Sequence, residues 1–142
     1  MDNIPPRMLE IIEDFQLSQG REKLELLLQY AESFTPLPDW LQSEHDTMDQ
    51  VHECMTPVFV HAAVDNGNMT FFFDVPPESP TVRGFASLLR DGLNNQTPQE
   101  ILNVPADFYI QMGLEQVLTH QRLNGLQAIL AHMKRLALQH LE

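Results

Sequence analysis

Val51-His-Glu-Cys54-Met-Thr-Pro-Val-Phe-Val60-His-Ala-Ala-Val-Asp65-Asn-Gly-Asn-Met-Thr70-Phe-Phe-Phe-Asp-Val75 decides the fold class. Pro57 to Val64 and Met69 to Val75 are rich in Val and Phe and read as strands, and Asn66-Gly67 between them is the strongest short hairpin signal a sequence offers. Two strands alone are marginal, so a third strand, with Val51 as its candidate, and covering helices are expected.

The flanks supply those helices. Upstream, Ile4 to Phe15 carries Met8, Leu9, Ile11, Ile12 and Phe15 at helical spacing behind Pro5-Pro6. After Gly20, Arg21 to Phe34 repeats the pattern with Leu24, Leu27, Leu28 and Ala31 as the apolar stripe; Glu22, Lys23, Glu25, Gln29 and Glu32 are expected to face water. Pro36 and Pro38 end it. Leu37 to Asp49 reads as an irregular acidic stretch holding the only tryptophan, Trp40. Downstream, Ser79-Pro80 opens a helix through Leu93 with Val82, Phe85, Ala86, Leu88 and Leu89 buried. Thr97-Pro-Gln-Glu100 is a capping box starting a helix over Pro98 to Asn103. A short helix covers Ala106 to Met112. The last, from about Thr119 to Gln139, presents Leu123, Leu126, Ile129, Leu130, Met133, Leu136 and Ala137. Helices, then a small antiparallel sheet of about three strands, then more helices define an α+β class, expected as one domain over residues 1–142.

Composition narrows the function. Twenty acidic residues face eight basic ones, for a net charge of −12, and no Lys or Arg occurs from Leu24 through Val82. Such a surface repels nucleic acid and anionic membranes; it suits a basic protein partner or serves solubility alone. No apolar stretch approaches the ~20 residues that span a bilayer, and the N-terminus lacks a signal-peptide pattern, so a cytoplasmic, reducing location is expected.

Cys54 is the only cysteine. Alone it forms no internal disulfide and cannot supply a thiolate cluster to zinc or iron. Its chemistry would be that of a single nucleophile or sulfur carrier, and its bland role that of a small buried hydrophobe. Glu53 and Asp49 nearby disfavour a thiolate, so an activating cation must come from elsewhere in the fold or from a partner. His52 could tune the thiol as a base. His45 and His52 beside Cys54 are too few for a metal site, and none is expected. No G-x-S-x-G element and no phosphate-binding glycine loop exists. Arg122 stands in the first turn of the last helix, against the macrodipole; spacing alone leaves two readings, an ordinary surface arginine and one that holds the Cys54 loop through carbonyls or carboxylates.

Together these segments resemble the SufE family, sulfur-acceptor partners of cysteine desulfurases. The family pattern V-x-G-C-x-S-x-V-W is similar to Val51-His-Glu-Cys54-Met-Thr56-Pro-Val58-Phe59. Val82-Arg-Gly84, Thr97-Pro-Gln-Glu-Ile101 and Gln121-Arg122-Leu-Asn-Gly125-Leu126 match three further motifs in order. Glu53, Thr56 and Phe59 depart from the family's glycine, serine and tryptophan. The resemblance implies a SufE/IscU-like fold and a persulfide carried on Cys54, with Arg122 in support. It implies no cofactor on this chain, a pyridoxal-phosphate (SufS-like) desulfurase as donor and an iron–sulfur scaffold as acceptor, and a monomer or weak homodimer. It also implies a cysteine loop that can tuck its thiol among apolar residues, for which Met55, Val58 and Phe59 are suited. Glu53 keeps a second reading open, a desulfurase-binding regulatory module of the same fold without sulfur carriage. A cluster-assembling scaffold of the IscU type would want several cysteines.

Overall fold

The computed structural model describes residues 4–52 and 56–141. Among these, the elements run α1 (Pro6–Leu17), α2 (Arg21–Glu32), α3 (Asp39–Gln42), a 3-10 turn (His45–Thr47), β1 (Asp49–Gln50), β2 (Phe59–Asp65), β3 (Asn68–Asp74), α4 (Pro80–Leu93), α5 (Pro98–Leu102), α6 (Phe108–Met112), a 3-10 turn (Leu114–Gln116) and α7 (His120–Gln139). The sheet is antiparallel in the order β1-β2-β3. The α+β expectation holds.

The hairpin forms where it was read. Asp65 pairs with Asn68, and Asn66 and Gly67 have φ of 54° and 82°, the positive values of a type I′ turn. Strict alternation along β3 sends Met69, Phe71 and Phe73 inward and leaves Thr70, Phe72 and Asp74 on the outer face. The third strand is Asp49–Gln50, opposite Val60 and Phe59, rather than Val51. Two polar residues carry no strand propensity, so only the pairing reveals them. Val51 follows them, buried, and its N–H donates to the Val58 carbonyl at 2.8 Å.

The long helices cover the inner face. Val60, Phe71 and Phe73 pack in one core with Met8, Ile11, Ile12 and Phe15 of α1, Phe85 and Leu88 of α4, and Leu126, Ile129 and Met133 of α7. The whole stripe expected on α7 is buried. The capping box is present in both directions: Glu100 N–H donates to Thr97 Oγ1 at 3.2 Å and Thr97 N–H to Glu100 Oε1 at 2.9 Å.

Four expectations are corrected. Lys23 does not face water; it is 5 % exposed, and its ammonium donates to the carbonyls of Phe15 and Ser18 at 2.5 and 2.8 Å. These carbonyls lie at the end of α1, where the dipole favours a cation. Leu28, placed in the stripe, is instead exposed. Val82 is half-buried, while Thr81 and Gly84 take the interior positions of α4. The supposedly irregular stretch 37–49 contains α3, a 3-10 turn and the start of β1, pieces too short to show a period.

α4 lies close to both N-terminal helices. A Cβ on Gly84 would stand 2.6 Å from the Leu27 carbonyl oxygen of α2, and one on Gly92 would overlap the Met8 sulfur of α1. Beside Gly92, Arg7 clamps Asp91 through Nε and Nη2 at 3.1 and 2.8 Å. Asp91, and after it Glu10, holds the guanidinium's pKa above its usual range. Gly84→Ala should therefore destabilise. Overpacking costs about 1–3 kcal/mol, offset by roughly 1 kcal/mol of helix propensity. Urea denaturation should show a lower midpoint at unchanged slope.

Candidate functional site

The site is built where two long helices start. Thr119 caps α7, its Oγ1 accepting the Arg122 N–H at 3.3 Å, so Arg122 stands at the third helical position. Ser79 precedes α4, with Pro80 first and Thr81 second in the helix. Arg122 Nη1 donates to Thr81 Oγ1 at 3.0 Å and so joins the two helix starts. Thr81 is buried, which fixes the acceptor and hence the guanidinium.

Between these starts lies a cleft whose walls include Thr56, Glu78, Ser79, Thr81, Arg122 and Gly125. Thr56 and Ser79 place their hydroxyls 3.4 Å apart, so the end of the β1–β2 connection rests on the start of α4. Two helix N-termini and one guanidinium give this cleft a positive potential, with the Glu78 carboxylate as the opposing charge. The arrangement suits an anion of moderate size.

The residues singled out in the sequence fall as follows. Cys54, with Glu53 and Met55, lies outside the described residues. Thr56, two positions on, is a wall of the cleft, as is Arg122. His52 is exposed and is not among those walls. His45 is drawn away: its Nε2 lies 2.8 Å from Asp74 Oδ2, and its ring packs edge-on to Phe59 at 4.7 Å between centroids. Of the apolar residues suited to receive the thiol, Val58 is fully buried and Phe59 half-buried. Among the described residues no cluster of three or more His, Asp or Glu side chains could hold a metal ion, and no helix is long and apolar enough to cross a membrane. Thr81 and Ser79 were not foreseen as site residues. The signal available was their position at the start of a helix opened by Ser-Pro, but their pairing with 122 and 56 is tertiary.

A fold of this kind with a cysteine-bearing β1–β2 connection defines a class, and comparison names it. The family described as SufE, Fe-S metabolism associated domain, matches residues 9–137, and the chain belongs to this family. It is 41 % identical over 134 residues to an uncharacterized SufE-like protein of Mycobacterium tuberculosis, covering 94 % of this chain and 92 % of that one. It is 32 % identical to SufE-like protein 1, chloroplastic/mitochondrial, of Arabidopsis thaliana, over 100 % of this chain but 37 % of the plant protein. The solution structure of a hypothetical protein from Thermus thermophilus superimposes with a TM-score of 0.83 at 38 % identity, over 96 % of both chains.

Thr81→Val keeps the shape of the side chain and removes the acceptor for Arg122. It should cost about 1 kcal/mol, as for a hydrogen bond to a partly solvated charge, whereas Thr81→Ser should stay near wild type. Chemical denaturation of the two variants side by side checks this.

Proposed function

We infer that this chain, acting as a single SufE-like domain over residues 1–142, accepts sulfane sulfur from a pyridoxal-phosphate cysteine desulfurase as a persulfide on Cys54. It then passes that sulfur to an iron–sulfur scaffold. The observation that carries this reading is the place of the one cysteine. It falls in the β1–β2 connection, whose nearest described residue on the C-terminal side is a wall of the positive cleft holding Arg122. Membership in a family associated with Fe-S metabolism supports it.

The chemistry balances within sulfur. The Cys54 thiolate attacks the outer sulfur of the desulfurase persulfide; a new S–S bond forms to Cys54 as the old one breaks. The desulfurase leaves as a thiolate, and the transferred sulfur keeps its proton. No external oxidant or reductant is consumed. The chain itself needs no cofactor for this step, and with no second cysteine it has no thiol of its own to resolve the persulfide. Arg122 and the two helix N-termini favour the anionic forms of thiol and persulfide against the pull of Glu53. His52, exposed beside the loop, is suited to take the thiol proton. In this reading the working species is a monomer or weak homodimer.

Glu53, where the family pattern has glycine, favours one other reading, a regulatory module that binds and stimulates the desulfurase without carrying sulfur. Intact mass after incubation with a SufS-type desulfurase and free cysteine separates the two. The carrier gains one sulfur atom, lost on reduction and absent from Cys54→Ser. If the mass is unchanged while Cys54→Ser still stimulates the desulfurase, the carrier reading is wrong and the regulator stands. Arg122→Met should slow sulfur acceptance about tenfold or more while leaving the reducible end-point intact.

A further inference from the structure

The outer face of the sheet carries no long helix. Its cover is the short segment of α3 and the 3-10 turn, and what that segment builds is a ring cluster. The Trp40 ring stands edge-on to both His61 and Phe72, 5.7 Å from each, at 74° and 85°. His45 packs likewise on Phe59. Trp40 remains 49 % exposed. A tryptophan gripped by two rings yet half in water is a rigid apolar knob that loses little freedom on being covered, the profile of an interface anchor.

Charge marks what would cover it. The segment carrying Trp40 also carries Asp39, Glu44 and Asp46, none of them buried. Asp65 is exposed at the far end of β2 on the same face. Two cations border the sheet, Arg83 and Arg90, and both are engaged: their Nε atoms donate to the carbonyls of Val75 and Phe71 at 3.0 and 2.7 Å, and the Arg90 guanidinium lies over the Phe72 ring at 5.5 Å. Arg83 also lies over the Phe34 ring. The patch is thus an aromatic knob in an acidic field. Its position ties it to the cysteine. Phe59, at one end of the ring row, is five residues past Cys54, and His61 lies about 7 Å further along the strand.

We propose that the outer sheet face around Trp40 is the docking surface for the cysteine desulfurase, which offers it an apolar recess rimmed by Lys and Arg. This rests on the sulfur-acceptor reading and specifies where the partner is held. A partner that takes the Cys54 thiol into its own site also covers the face at the foot of that loop. Two signs of charge then divide the labour: the acidic face steers and holds the basic partner, and the positive cleft receives the sulfur anion.

Trp40 is the only tryptophan, so the full chain labelled with 5-fluorotryptophan gives one fluorine resonance. Titration with unlabelled SufS-type desulfurase should shift or broaden that resonance. Trp40→Ala should weaken the complex about tenfold or more, and Trp40→Phe, which keeps a ring against His61 and Phe72, much less. Joint replacement Asp39→Lys, Glu44→Lys and Asp46→Lys should weaken it several-fold at low salt and flatten the salt dependence. Far-UV circular dichroism of Trp40→Ala should match the wild type, which certifies its fold. A still resonance and wild-type affinity in both Trp40→Ala and the triple replacement, in a chain that does load sulfur, would overturn the surface and leave the carrier reading standing. No sulfur loading and no binding by the wild type would sink both. Broadening with the chain's own concentration, without desulfurase, would overturn the proposal by assigning the face to a second copy.

Discussion

The arrangement depends on how closely α4 approaches its neighbours. Gly84 lets the Leu27 backbone of α2 come within the space a methyl group would occupy, and Gly92 does the same for Met8 of α1. With both contacts made, α4 has no freedom to slide. Its first turn then presents Ser79 to Thr56 and Thr81 to Arg122 at fixed positions. A clash at Gly92, roughly 16 Å down the helix from Thr81, would move every hydroxyl at the site. Val82-Arg-Gly84 is therefore a packing motif before it is a functional one.

Two electrostatic regimes coexist in a chain of net charge −12. The run without cations, Leu24 through Val82, includes the segment over the outer sheet face. The cleft beside it draws its positive character from backbone dipoles and from an arginine that lies far away in sequence. Composition alone reports only the first regime. The starts of α4 and α7 come together only in the fold, where Arg122 meets Thr81.

Much of the fold was legible because its signals are local. Asn66-Gly67 specifies a turn by the φ values its two residues tolerate; Thr97-Pro-Gln-Glu100 closes its own hydrogen bonds; α7 is long enough for its period to be unmistakable. What escaped was tertiary. Lys23 looks solvent-facing on a helical wheel, because the wheel does not contain the α1 carbonyls that draw it inward. β1 is two polar residues and exists only as a partner of β2. Arg122 stands out for its place at the unfavourable end of a helix, but its acceptor, Thr81, is 41 residues away. Trp40 is the only tryptophan, yet nothing in the chain order shows that His61 and Phe72 hold it upright.

The Val51–Val58 hydrogen bond joins the two ends of the segment that holds the cysteine. The contact of Thr56 with Ser79 ties the same connection to α4. A pull on that connection is therefore resisted by the sheet and by a packed helix together, as a strap is held at its two anchors.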